Sequence, residues 1–198
     1  LARVAASLKE GYNALVLLGN IAGRLASYSV VRALAACIAE FTGASFGGLS
    51  EGPNSAGAHL AGVLPNRTQG GENREAPGLD VASMLAATMD AVVLVNVEPE
   101  CDIHACEKPV EQSAAEKFVV ARTPFATDGL LEGADLLLPT GTFAETSGTY
   151  VTIEGVWQSF SGVAAPVGEA RPTWKVLRVM ANLIEAPGFE YVKSDDVL

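Results

Sequence analysis

Cysteine is scarce in this 198-residue chain, where Cys37, Cys101 and Cys106 are the whole complement. Three thiols are too few for a disulfide framework and odd in number, which points to a reducing compartment, with the cytoplasm as default. Basic charge is also short: 13 Lys and Arg face 23 Asp and Glu, for a net charge of −10. Such a chain repels a phosphate backbone, so nucleic acid is not expected as a partner. No apolar run approaches the ~20 residues that span a bilayer, and no charged-then-apolar signal segment opens the chain. Direct membrane insertion is therefore not expected. Walker, nucleophile-elbow, zinc-protease and dinucleotide fingerprints are all missing.

What is present is apolar and alternating. At 49% hydrophobic residues the chain can bury a sizeable core. Short apolar runs, "NALVLLG", "AVVLVNV", "FVVART" and "DLLLPT", read as strands buried in a parallel sheet. A further short strand is expected near Ala44–Leu49. Between them "SYSVVRALAACIAEFTG" places Val30, Val31, Leu34, Ile38 and Phe41 at helical spacing, with Ser27 or Ser29 as cap and Gly43 as stop. Further helices are expected in "NSAGAHLAGVL", "LDVASMLAATMD", around 110–117, in "TDGLLEGA", and in "RPTWKVLRVMANLIEAPG", the last from Pro172 to a stop at Pro187 and Gly188.

This alternation predicts an α/β fold: a doubly wound, mostly parallel sheet with helices on both faces, plus a β-ribbon near residues 148–160 turning at Glu154 and Gly155. One α/β domain over 1–198 is expected, with an internal division at the polar loop 65–78 into 1–64 and 79–198. The chain opens at Leu1 directly into helical sequence, which reads as a piece excised from a longer protein.

Ligands of open α/β sheets bind beyond the carboxyl ends of the strands. Three such places carry candidate chemistry. "GNIAGR", Gly19 to Arg24, could hold a phosphate on exposed amides, although plain turn glycines give the same pattern. Cys101, His104 and Cys106 share a loop and could offer sulfur and imidazole to zinc, but a closed site needs a fourth ligand and there is no second Cys/His cluster. His59 and Cys37 stand without partners in sequence. The third place is "FAETSGTYVTIEGVWQSFSG", where Glu145 and Glu154 either form a carboxylate pair or orient backbone amides.

That last block carries a resemblance. "ADLLLPTGTFAETSGTYVTIEGVWQSF" resembles the "ADvvLP…E…GT..N.EGR.Q" segment of the molybdopterin oxidoreductase superfamily. With "LSEGPNSAGAHLAGVLP", "VLVNVEPE" and "GEARPTWKVLRVMANLI", it is similar to the C-terminal region of the G-subunit family of bacterial NADH:quinone oxidoreductase, respiratory complex I. The resemblance implies a three-layer α/β fold in the peripheral, electron-input arm of that complex, on the cytoplasmic face of the inner membrane, with the arm's other subunits as partners. It places iron–sulfur clusters in an N-terminal part of the parent chain; no cysteine spacing here could hold one. It implies a scaffold without cofactor or catalytic residue. The vestigial pterin-groove candidates are Gly148, Thr149, Thr152, Glu154 and Gly155, of which Gly148, Thr149, Glu154 and Gly155 match the family's residues. Thr152 stands at the family's Asn, and Val156 stands at its Arg, where it cannot bind an anion. Glu98, Glu145, Glu154 and Arg171 are read as residues that fix turns and helix ends. The rival reading is a fragment of a catalytic molybdenum or tungsten bis-pterin oxidoreductase similar to formate dehydrogenase.

Overall fold

A computed structural model of the chain describes residues 2–23, 25, 27–50, 52–103 and 117–197, and the statements below concern those residues. Arg24, His104, Cys106 and nearly all of the helix expected over 110–117 lie outside them.

The elements run α1 (Ala2–Glu10), β1 (Leu15–Leu18), α2 (Asn20–Gly23), α3 (Tyr28–Thr42), β2 (Ser45–Gly48), α4 (Ser55–Ala61), α5 (Val81–Ala86), β3 (Ala91–Val95), α6 (Pro99–Asp102), β4 (Phe118–Thr123), α7 (Asp128–Gly133), β5 (Leu136–Pro139), β6 (Gly148–Val151), β7 (Trp157–Phe160) and α8 (Thr173–Leu183). Strands β1 to β5 form parallel sheets flanked by helices, and β6 with β7 forms the ribbon. The chain divides into two compact units: residues 1–61 with 150–157, and residues 62–149 with 158–198.

In the first unit β1 and β2 pair in parallel from Leu15↔Ser45 to Leu18↔Gly48, and the crossover between them is α3, which packs on both strands. Ser27 begins α3 without a side-chain cap bond. Its end is better fastened: Gly43 takes a left-handed φ of 70°, and the Ala44 amide donates to the Ala39 carbonyl at 2.9 Å, the six-to-one bond of a Schellman motif. The buried face of α3 differs from the large-residue stripe in the sequence. Ala35 and Ala39 are buried, while Val30, Leu34, Ile38 and Phe41 are 57, 59, 47 and 81% exposed. Small side chains on the inner face let the helix lie close to its strands, and the bulky stripe is turned outward.

The second unit is built on β3-β4-β5, parallel throughout, with Val93↔Val120↔Leu136 and Leu94↔Ala121↔Leu137 in register. Strand β4 is central, and Val119 through Thr123 are all buried. On one face Ala121 meets Leu130 of α7, with Leu94, Ala134 and Leu137 around them. Alternation along a strand places Arg122 on the opposite face, fully buried. None of its three guanidinium nitrogens has a hydrogen-bond partner, and burial pushes its pKa down.

Side-chain caps set the helix starts here. The Asp80 carboxylate accepts from the Ser83 amide at 2.8 Å to open α5, and the Thr127 hydroxyl accepts from the Leu130 amide at 3.3 Å to open α7. Two helices of this unit are shorter than read from sequence. The one expected through Asp90 ends at Ala86, because Ala87 is extended at ψ 152°. Helix α8 starts at Thr173, one residue after Pro172, and stops at Leu183 ahead of Pro187, with Glu185 at a left-handed φ of 56°.

The polar stretch 65–78 is fastened to itself. Arg67 and Asn73 form a β-bridge, the Arg67 guanidinium donates to Asn73 Oδ1 at 2.6 Å and to the Gly71 carbonyl at 3.2 Å, and the Gly78 amide closes onto Pro65 at 2.8 Å. Gly62 ends the preceding turn at φ 73°, and a Cβ there would overlap the Thr68 carbonyl group. Only glycine satisfies both conditions.

Candidate functional site

In the second unit the carboxyl ends of the strands converge on a polar cluster. Asn96, just past β3, holds a left-handed φ of 52°; its amide donates to the Arg122 carbonyl at 2.6 Å. Its side-chain oxygen accepts from the hydroxyls of Thr140 at 3.1 Å and Thr173 at 3.3 Å. One side chain thereby joins the ends of β3 and β5 to the start of α8. Thr140 is buried, and a β-bridge ties it to Arg171, whose carbonyl accepts from the Gly141 amide at 3.1 Å.

Beyond β5 the segment "TFAE" is a capping box. Glu145 accepts from the Thr142 amide at 2.7 Å and the Thr142 hydroxyl at 3.0 Å. Those bonds, the backbone one foremost, hold its carboxyl below the ordinary value of 4.5, aided by the Val167 amide and opposed by burial. A cavity of about 440 Å³ opens here, lined by Pro124, Pro139, Thr140, Thr142, Glu145 and Val167 among others. Among the described residues its ionisable lining group is the Glu145 carboxylate, which accepts from donors of its own chain. A second cavity, of about 450 Å³ along α5, β3 and α6, is almost wholly apolar.

In the first unit the ribbon tip is held to the loop that follows β2. The Val151 amide donates to Asn54 Oδ1 at 2.8 Å. Thr152 organises the turn: its amide bonds the Val156 carbonyl at 3.0 Å, its carbonyl accepts from the Gly155 amide at 2.9 Å, and its hydroxyl accepts from the Val156 amide at 3.2 Å. Gly155 supplies the left-handed φ of 82° this requires. Nearby, with its oxygen and nitrogen in the orientation that satisfies both neighbours, the Asn20 amide donates to the Leu49 carbonyl at 2.8 Å and the Ser50 carbonyl at 3.3 Å.

The sequence candidates thus occupy defined places. Gly148 lies against the Phe160 ring, and the Thr149 and Ser159 hydroxyls bond each other at 2.9 Å across the ribbon. Thr152 and Gly155 build the turn; Glu154 and Val156 are exposed on it. Glu154 and Glu145 belong to different compact units, and Glu145 is committed to its capping box. Cys101 is exposed on α6, whereas His104 and Cys106 lie outside the described residues. Among the described residues no three His, Cys, Asp or Glu side chains are grouped to hold a metal. His59 is exposed and bonds the Ser55 carbonyl in its own helix at 2.9 Å, and Cys37 is exposed. The first residue of α6 follows Glu98, whose side chain makes no cap bond; instead the Glu98 amide donates to the Asp102 carboxylate at 2.8 Å. Arg171 donates to the Ala170 carbonyl at 2.9 Å and forms an exposed ion pair with Glu169 at 3.6 Å.

Sequence reasoning missed Asn54, Asn96 and Thr140. The capping-box spacing of Thr142 and Glu145 was readable; the others bond across 44 to 97 residues and leave no local pattern.

Comparison with known proteins places this geometry in context. The family model for molybdopterin oxidoreductase matches residues 3–183. The NADH-ubiquinone oxidoreductase 78 kDa subunit, mitochondrial, of Candida albicans is 40% identical over 53 residues, covering 27% of this chain and 7% of that protein. The G subunit of NADH-quinone oxidoreductase from Shewanella oneidensis is 27% identical over 113 residues, covering 54% of this chain and 12% of that protein. The probable oxidoreductase YjgC of Bacillus subtilis is 27% identical over 96 residues, covering 48% and 9%. The chain corresponds to only a small part of each relative's length.

Proposed function

Because the chain belongs to the molybdopterin oxidoreductase family, we propose that it serves as a structural and assembly region of NADH-quinone oxidoreductase, in the electron-input arm that carries electrons from NADH through iron–sulfur clusters toward quinone. On this reading it binds no pterin and holds no cluster; the clusters reside elsewhere in the parent chain. Among the described residues no helix is long and apolar enough to cross a membrane. On the proposed reading the arm's other subunits are its partners, and the arm lies on the cytoplasmic face of the inner membrane.

Two features of the ribbon support a reading without pterin. The hydroxyls of Thr149 and Thr152 bond within the ribbon, and the family's cation position is the exposed, uncharged Val156. A phosphate placed there would lack a charged hydrogen bond worth about 1.5–3 kcal/mol.

The observation that carries the assembly role is the outward stripe of α3. Four large apolar side chains, Val30, Leu34, Ile38 and Phe41, lie along one helix at a spacing that brings them to one face. A contiguous apolar surface of this kind marks a contact with other protein. The test is to place Leu34→Asp and Phe41→Asp together in the parent chain and follow its incorporation into the complex by native electrophoresis. Loss of incorporation, with the variant still folded by circular dichroism, is the expected result. Normal incorporation and normal NADH:quinone activity would overturn the assigned role. The rival reading, a fragment of a catalytic molybdenum or tungsten enzyme, requires stoichiometric metal and pterin in the parent protein.

A further inference from the structure

We propose that Asn54 is a latch that closes the ribbon onto its own chain, and that Gly57 is the clearance that admits it. The proposal rests on the reading of this chain as one that binds no pterin, and it supplies a physical means by which the ribbon stays closed.

Asn54 stands immediately before α4, where its carbonyl accepts from the Ala58 amide at 2.9 Å as the first bond of the helix. An Asn in this position commonly turns its side-chain oxygen back onto the second or third amide of its own helix. Here Oδ1 instead accepts from Val151, 97 residues later, at 2.8 Å. Val151 is the last residue of β6 and only 3% exposed. Left without an acceptor, a buried strand-end amide would be destabilising, and it would be the natural donor for any ligand acceptor or foreign strand reaching the ribbon. Asn54 occupies that donor.

The side chain needs room to do so. A Cβ on Gly57 would overlap Asn54 Oδ1 and lie 2.7 Å from Cγ and 2.9 Å from Nδ2. Alanine at 57 must therefore displace the Asn54 amide. In a helix, alanine is otherwise the better residue than glycine. Gly57 thus costs helix stability by itself, and its benefit depends on Asn54 being present.

The test is peptide-resolved hydrogen exchange on the parent chain, reading the peptide that spans 148–156 and using the β4 peptide, 118–123, as the control for intact folding. Asn54→Ala should speed exchange of the Val151 amide roughly tenfold or more, whereas Asn54→Asp, which keeps an oxygen in place, should stay within about threefold of the unmutated protein. Gly57→Ala should speed exchange to a similar degree in the unmutated background and add nothing in the Asn54→Ala background. Unchanged exchange over 148–156 in Asn54→Ala would overturn the latch, and so would equal effects of Gly57→Ala in both backgrounds. If Asn54→Ala exposes β4 as well, Gly57→Ala alone decides: acceleration confined to 148–156 supports the latch and none refutes it. Pterin and molybdenum assayed on the same unmutated sample test the cofactor-free reading separately, since their presence would sink that reading whatever the exchange shows.

Discussion

The two compact units use the same strand–crossover–strand logic and secure it differently. In the second, β4 is paired on both sides and buried from Val119 to Thr123, so packing carries the structure. In the first, no residue of β1 or β2 is buried, and side-chain bonds from Asn20 and Asn54 help to hold the loop after β2 and the ribbon. The difference teaches where each unit is vulnerable. A packed sheet fails through cavities, whereas a thinly buried one fails through its tethers.

The contrast can be broken most forcefully at Leu130. This side chain is fully buried against Ala121, and Leu130→Ala should destabilise the second unit by about 2–5 kcal/mol in denaturant unfolding. Leu34→Ala on the outward stripe of α3 should change stability by no more than about 0.5 kcal/mol. Equal losses would erase the distinction between the units.

Arg122 sharpens it from the other side. A guanidinium with no exposed surface and no hydrogen-bond partner among the described residues is a cost, so Arg122→Met should stabilise the second unit by about 1–4 kcal/mol, read as a higher denaturation midpoint. A loss of stability would mean that the cation has an anionic partner. Gly62→Ala should cost roughly 1–3 kcal/mol, since it adds a side chain at positive φ and against the Thr68 backbone.

The smallest effect is a pH dependence. Glu145 is held below its ordinary 4.5 in the folded state, chiefly by the Thr142 amide. Its contribution is fully present above about pH 4.5 and fades as the pH falls through the lower folded value. In Glu145→Gln that part of the acid limb of a stability–pH curve should flatten; an unchanged limb would show the capping box to be without thermodynamic weight.

Much of this architecture was legible in local sequence. The run "FVVART" announced a strand buried on both faces, Gly43 marked the end of α3, and "LDVASMLAATMD" announced α5. Each signal acts within a few residues. The outward turn of Leu34 and Phe41 was not legible, because periodicity shows that a helix has two faces and leaves open whether bulky or small residues meet the sheet. The self-bonded loop 65–78 looked merely polar, since the fork of Arg67 reaching Gly71 and Asn73 has no periodic signature. At the candidate site the strand-end rule pointed to the segments that follow β3 and β5. It could not name Asn54, Asn96 or Thr140, whose partners are set by the fold alone.

On the proposed reading, a member of the molybdopterin oxidoreductase family has here a ribbon that closes on its own chain and holds no pterin. The most direct test of that reading is quantitation of molybdenum, tungsten and oxidised pterin in the purified parent protein. The account predicts less than a tenth of an equivalent of each, on the order of background. One equivalent of metal with its pterin would contradict it.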